Sequence, residues 1–215
     1  MHVFMLLTCP GFGKSDEPKQ SLDVDNYVDF IVKFIEQQNI KGLDLIGHSN
    51  GGRIIIKLMS LKNLKFKVNK IILIGSAGIV HKKSLSKKLK IRMFKFSKKI
   101  LSIKIIQNKF PNLLLKLKNY FGSVDYKTAT PVMRETLVKL VNTDLKEYLP
   151  NIKIPTLLLW GENDTETPFS DGEFMQKLIS DCGLIKVKNC SHYVFLEEPI
   201  YVNRVIKFFL NGENK

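Results

Sequence analysis

Leu43-Asp44-Leu45-Ile46-Gly47-His48-Ser49-Asn50-Gly51-Gly52-Arg53 decides the fold. Leu43, Leu45 and Ile46 make a short apolar run that suits a buried strand, and Ile54, Ile55, Leu58 and Met59 then recur at helical spacing. Between them, Gly47-His48-Ser49-Asn50-Gly51 fits G-x-S-x-G, a sharp strand-to-helix turn with its serine exposed at the apex. Side chains at Gly47 or Gly51 are expected to collide with the neighbouring strand or helix. Ser49 has two readings, a nucleophile or a serine capping a helix after a Gly-rich loop. The strand before it, the helix behind it and the partners downstream favour the nucleophile. The helix would aim free N–H groups and a partial positive charge at the reacting centre.

Working outward, Val3 to Leu7 reads as a buried strand, and Cys9 to Pro18 as a loop punctuated by Pro and Gly. Gly13-Lys14-Ser15 is not a phosphate loop, because the required earlier glycine falls at Thr8; Gly11-x-Gly13 lacks the third glycine of a dinucleotide fingerprint at Asp16. Asp23 is placed to cap a helix whose stripe is Val24, Tyr27, Val28, Ile31, Phe34 and Ile35. Lys70 to Gly75 forms the next strand, and residues 81–150 are then helical throughout, with Thr130 and Pro131 opening the last of these helices. Pro155 to Trp160 is a strand, a helix follows near Ser170 to Ile179, then a short strand Leu184 to Val187 and a final helix from Pro199 to Leu210. Strands alternating with helices imply an α/β fold with a mostly parallel sheet and flanking helices. The expected organisation is a core from residues 1–80 and 151–215, with residues 81–150 inserted as an all-helical cap.

The 215 residues suffice for one sizeable core with an insertion. No apolar run approaches the ~20 residues of a membrane-spanning helix. Three scattered cysteines make neither a disulfide framework nor a metal site, which points to reduced thiols in a cytoplasm. The net charge of +14 is concentrated in the middle of the chain, since no Asp or Glu occurs from Ile54 to Val124. Lysines alternating with Leu, Ile and Phe there fit peripheral contact of the cap with anionic lipid. A compositional bias toward Lys, Asn and Ile accounts for the same pattern and is the preferred explanation; no nucleic-acid partner is expected.

A serine hydroxyl needs a base to remove its proton, and a histidine oriented by a carboxylate meets that need. Of His2, His48, His81 and His192, only His192 lies in a loop after a late strand, where a parallel sheet presents its ligand-facing residues. His48 is expected to point away from Ser49 and serve packing. Asp164 directly follows a strand and is the preferred acid, with Glu162, Glu166 and Asp171 as neighbouring candidates and Asp125 a remoter one. Ser49, Asp164 and His192 follow the Ser, Asp, His chain order of a G-x-S-x-G elbow.

Pro10-Gly11-Phe12-Gly13-Lys14-Ser15-Asp16, Gly47 to Gly52, Trp160-Gly161-Glu162-Asn163-Asp164, and Cys190-Ser191-His192 with Glu198-Pro199 together resemble the α/β-hydrolase superfamily over nearly the whole chain. The resemblance implies a capped serine hydrolase, similar to hydrolases of ring-cleavage products. It would use Ser49, His192 and Asp164 on a small ester, amide or carbon–carbon carbonyl substrate, with the Asn50 backbone N–H in the oxyanion hole and no metal or organic cofactor. Nothing here matches the family's His-Gly loop, which carries the second oxyanion donor, or its early strands. Val3 to Leu7 would thus face an unfilled position beside Leu43 to Ile46 or shift to fill it, and Met1 is read as an internal methionine. Two rivals accompany the hydrolase reading: a non-catalytic remnant or binding module, and an acyltransferase using the same triad.

Overall fold

The structure is a computed structural model and describes residues 4–81 and 128–212. Most of the expected helical cap, residues 82–127, lies outside the described residues, together with its basic stretch and Asp125. The described residues divide into two compact units: residues 4–18, 22–80 and 138–212, and residues 19–21, 81 and 128–137.

The larger unit is built on a parallel sheet of β1 (Gly42–His48), β2 (Lys67–Ile74), β3 (Thr156–Gly161) and β4 (Cys182–Val187), hydrogen-bonded in that order. The side-chain period of two sorts β2 and β3 between two cores. Ile71, Leu73, Leu158 and Trp160 join one cluster, with side chains from α1 (Val24–Gln37), α2 (Asn50–Leu58) and α4 (Phe169–Leu178). Ile72, Ile74, Leu157 and Leu159 join the other, with Val194 of the short α5 (Val194–Glu197) and Val202 of α6 (Pro199–Asn211). Both sheet faces are covered, which is why Ile71 to Ile74 of β2 and Leu157 to Trp160 of β3 are continuous apolar runs rather than alternating ones.

The helix signals act as anticipated. Asp23 caps α1 in a reciprocal capping box, accepting the Asn26 N–H at 2.9 Å while the Asn26 side chain accepts the Asp23 N–H at 3.0 Å. Thr130 Oγ1 accepts the Met133 N–H at 3.3 Å, and Pro131 is the first residue of α3 (Pro131–Asn142).

The amino-terminal stretch departs from expectation. Residues 4–9 contain no strand, and Phe4 and Leu6 are 72% and 94% exposed. An extended segment becomes a strand only by pairing its N–H and C=O groups with a neighbour, and no described strand pairs with this one. The segment does not pair with β1, which is an edge strand of the described sheet with Ile46 42% exposed. The loop that follows is ordered by its own contacts. Ser15 Oγ donates to the Thr8 carbonyl at 2.9 Å, Tyr27 Oη donates to the Pro10 carbonyl at 3.0 Å, and Phe12 packs against the Tyr27 ring.

Candidate active site

Because the strands run parallel, the loops that follow them emerge at one edge, and this edge carries Ser49 after β1, Gly75 and Ser76 after β2, Asp164 after β3 and His192 after β4.

Ser49 has φ 49° and ψ −109°, a left-handed conformation that costs a non-glycine residue about 1–3 kcal/mol. Backbone bonds hold it there: the Ser49 N–H donates to the Ile74 carbonyl at 3.0 Å, and the Ser49 carbonyl accepts the Ala77 N–H at 3.0 Å. Its side chain makes no capping hydrogen bond, so the hydroxyl is not consumed as a helix cap. A Cβ on Gly47 would lie 2.6 Å from the Gly51 carbonyl carbon and 2.7 Å from Gly52 N, as the tight turn requires. Gly51 differs from expectation, since a Cβ there would meet nothing within 4 Å. The second point of close approach is Gly52, where a Cβ would run into the buried Ser76 side chain.

Asp164 and His192 are both buried, and His192 Nδ1 lies 2.8 Å from Asp164 Oδ2. The other carboxylate oxygen, Oδ1, accepts the Glu166 and Thr167 N–H groups, each at 2.9 Å. Thr167 Oγ1 lies 2.9 Å from Asp164 Oδ2 and 3.0 Å from the Gly75 carbonyl, so its single proton serves two acceptors. A carboxylate accepts and cannot donate, so His192 donates through Nδ1–H, and in the neutral ring the lone pair is on Nε2. Nothing in sequence spacing singled out Thr167; a threonine three residues after the acid, within a turn, was the one available signal.

The competing carboxylates are arranged differently. Glu166 Oε2 is 3.7 Å from His192 Nε2, too far for a hydrogen bond, and its side chain is mostly exposed. Glu162 accepts the Asn189 N–H at 3.2 Å, and Asp171 is buried within α4.

His48 is not simply packing. Its Nε2 lies 3.0 Å from the His192 carbonyl oxygen, and its ring meets those of His192, Tyr193 and Phe195. Burial pushes its pKa down. On the other side of His192, the Glu197 carboxylate accepts the Ser191 hydroxyl at 2.6 Å, the Ser191 N–H at 2.8 Å and the Tyr193 N–H at 3.2 Å. The Ser191 bonds, the hydroxyl's first, hold the Glu197 pKa below its ordinary value.

Two further features border Ser49. Asn50, the first residue of α2, has a backbone N–H that meets no acceptor among the described residues, as is normal in a helix's first turn. Arg53, one helical turn on, is 6% exposed; its Nε lacks a hydrogen-bond partner, and burial pulls its pKa down to about 10. The structure pairs Asp164 with His192, whereas no hydrogen bond joins Ser49 Oγ to His192 among the described residues. No cluster of potential metal ligands occurs among the described residues.

The profile of the serine aminopeptidase S33 family, a family of α/β hydrolases, matches residues 4–199. The chain belongs to this family. It is 30% identical to the pimeloyl-[acyl-carrier protein] methyl ester esterase of Wigglesworthia glossinidia brevipalpis, over 97% of this chain and 83% of that one. It is 26% identical to a 2-hydroxy-6-oxononadienedioate/2-hydroxy-6-oxononatrienedioate hydrolase of Escherichia coli, over 96% of this chain and 75% of that one. The crystal structure of a bromoperoxidase from Bacillus anthracis superposes with a TM-score of 0.70 at 19% identity, covering 94% of this chain and 79% of that one, a likeness of fold alone. This chain is therefore a hydrolase of the α/β-hydrolase fold, with a methyl ester esterase and a 2-hydroxy-6-oxononadienedioate/2-hydroxy-6-oxononatrienedioate hydrolase among its relatives.

Proposed function

We propose that the chain is a serine hydrolase acting on a small ester, amide or carbon–carbon carbonyl substrate, with Ser49 as nucleophile, His192 as general base and acid, and Asp164 as the acid that orients His192. The observation that carries this reading is the buried Asp164–His192 hydrogen bond at 2.8 Å, at the same sheet edge as a strained, uncapped serine. Ser49 Oγ adds to the substrate carbonyl while His192 Nε2 takes its proton, and the Asn50 N–H and the α2 N-terminus stabilise the developing oxyanion. Collapse of the tetrahedral intermediate expels the leaving group, which His192 protonates; water then attacks the acyl-enzyme by the same route in reverse. For a carbon–carbon substrate the leaving group is a carbanion equivalent, protonated in the same way.

In the same proposal, residues 1–80 and 151–215 form the catalytic core and residues 81–150 its cap. A cytoplasmic setting fits free Cys9, Cys182 and Cys190. No described helix is long and apolar enough to cross a membrane. Contact of the basic cap with anionic lipid would be peripheral.

A fluorophosphonate probe tests the assignment, since it is attacked only by an activated serine. The parent should label and Ser49→Ala should not; equal labelling of the two ends the assignment. A non-catalytic reading is favoured by one observation, that among the described residues no hydrogen bond joins Ser49 Oγ to His192. It predicts p-nitrophenyl acetate turnover no higher than that of Ser49→Ala, together with salt-sensitive binding to anionic vesicles.

A further inference from the structure

His48 sits next to the nucleophile in sequence, yet its imidazole reaches 144 residues along the chain to the backbone of the general base. A carbonyl oxygen only accepts, so at 3.0 Å the bond to the His192 carbonyl requires the His48 proton on Nε2. Burial favours this neutral ring, and His192, Asp164 and Tyr193 are the titratable groups around it. The ring centroid is 4.6 Å from that of His192, 5.2 Å from Tyr193 and 5.0 Å from Phe195, so two side chains of the histidine loop and one of α5 fix its orientation.

We infer that His48 is a positioning residue that ties the backbone of the histidine loop to the nucleophile elbow and so restrains how far His192 can stray from Ser49. This inference rests on the triad reading above. The His192 ring is already held at one edge by Asp164, through Nδ1. That bond fixes its tautomer and tilt, but it ties the ring to the loop after β3 rather than to Ser49. His48 supplies the missing link: it follows Gly47 at the end of β1 and is one residue from Ser49, so a hydrogen bond from its ring to the His192 backbone makes loop and elbow move together. Proton transfer requires heavy atoms at about 2.6–3.2 Å, a range that closes when substrate binds, and a histidine loop uncoupled from the elbow would reach it less often.

The test replaces His48 by Phe, which keeps an aromatic ring without the N–H, and by Gln, whose Nε2 can occupy the place of the imidazole Nε2. With p-nitrophenyl acetate, His48→Phe should lose roughly 10- to 100-fold in kcat with KM changed less than about twofold, as expected for a misplaced base. His48→Gln should recover kcat to within about threefold of the parent. Loss of packing alone would not be rescued by Gln, so a Gln variant no better than Phe overturns the inference, as does a Phe variant with parental kcat. A second readout does not depend on turnover: the downfield proton resonance of His192 Nδ1–H should shift or broaden in His48→Phe and keep its parental position in His48→Gln. An unchanged resonance in Phe overturns the inference, and should Phe fail to fold, a displaced resonance in Gln does so. A parent that does not label with fluorophosphonate sinks the hydrolase reading by itself and leaves the resonance to decide the role of His48.

Discussion

Asp164 and His192 are held by side chains and turn amides, whereas Ser49 is held by backbone alone. Around the acid, two N–H groups, the Thr167 hydroxyl and the His192 imidazole converge on one buried carboxylate. Around the serine, the bonds to Ile74 and Ala77 run through main-chain atoms, and the close approaches at Gly47 and Gly52 leave no room for a methyl group. The contrast follows from what each must do. A carboxylate in a low-dielectric site needs donors to stay ionised, while a nucleophile needs its hydroxyl free and its position fixed by something other than that hydroxyl. The acid side should therefore fail when a hydrogen bond is removed, and the nucleophile side when an atom is added.

The largest effect is expected from Asp164→Asn. An amide can present an N–H to His192 Nδ1 and so select the tautomer whose Nε2 carries the proton, which leaves no base for Ser49. The ester hydrolysis rate should drop by roughly 10⁴-fold with the fold intact by circular dichroism; a loss under about tenfold would show that a different carboxylate serves His192. Next comes Gly52→Ala, which forces a methyl group against Ser76 and should cost about 1–3 kcal/mol in urea unfolding. Gly51→Ala is its control: the same change one residue earlier meets open space within α2 and should leave stability unchanged or raised by about 0.5 kcal/mol. Equal destabilisation by the two would break the account of the elbow. The smallest effect is expected from Thr167→Val, which keeps shape and removes one donor from Asp164 and Gly75. A roughly tenfold loss in kcat/KM corresponds to about 1.4 kcal/mol, one hydrogen bond to a charged group. An unchanged rate would mean that the two turn amides suffice for Asp164.

The reach of pattern reading differs along the chain for physical reasons. Ser49, Asp164 and His192 stand directly after strands, and a parallel sheet brings such loops to one edge whatever their sequence separation. The stripe of α1 and its Asp23 cap are local, within one turn or one face, so periodicity finds them. The crowded glycine beside Gly47 was expected at Gly51 and is Gly52, because what a Cβ meets there depends on Ser76, which lies on another strand's exit loop. His48 and Thr167 were missed as partners for a similar reason: each acts on a residue from a different segment, and no periodicity marks a contact of that kind.

The amino-terminal residues mark the limit most clearly. Phe4, Met5, Leu6 and Leu7 have the composition of a strand, and a short apolar run is all that a one-dimensional reading can offer. A strand is a relation between two segments rather than a property of one, and residues 4–9 have no partner among the described strands. Apart from this segment, the described strands and longer helices and their order were legible in the sequence alone, because apolar runs, helical stripes and caps act over a few residues. The pairing of strands, the glycine that must stay bare and the imidazole that grips the histidine loop were decided by tertiary structure, because each is a contact between segments that only folding brings together.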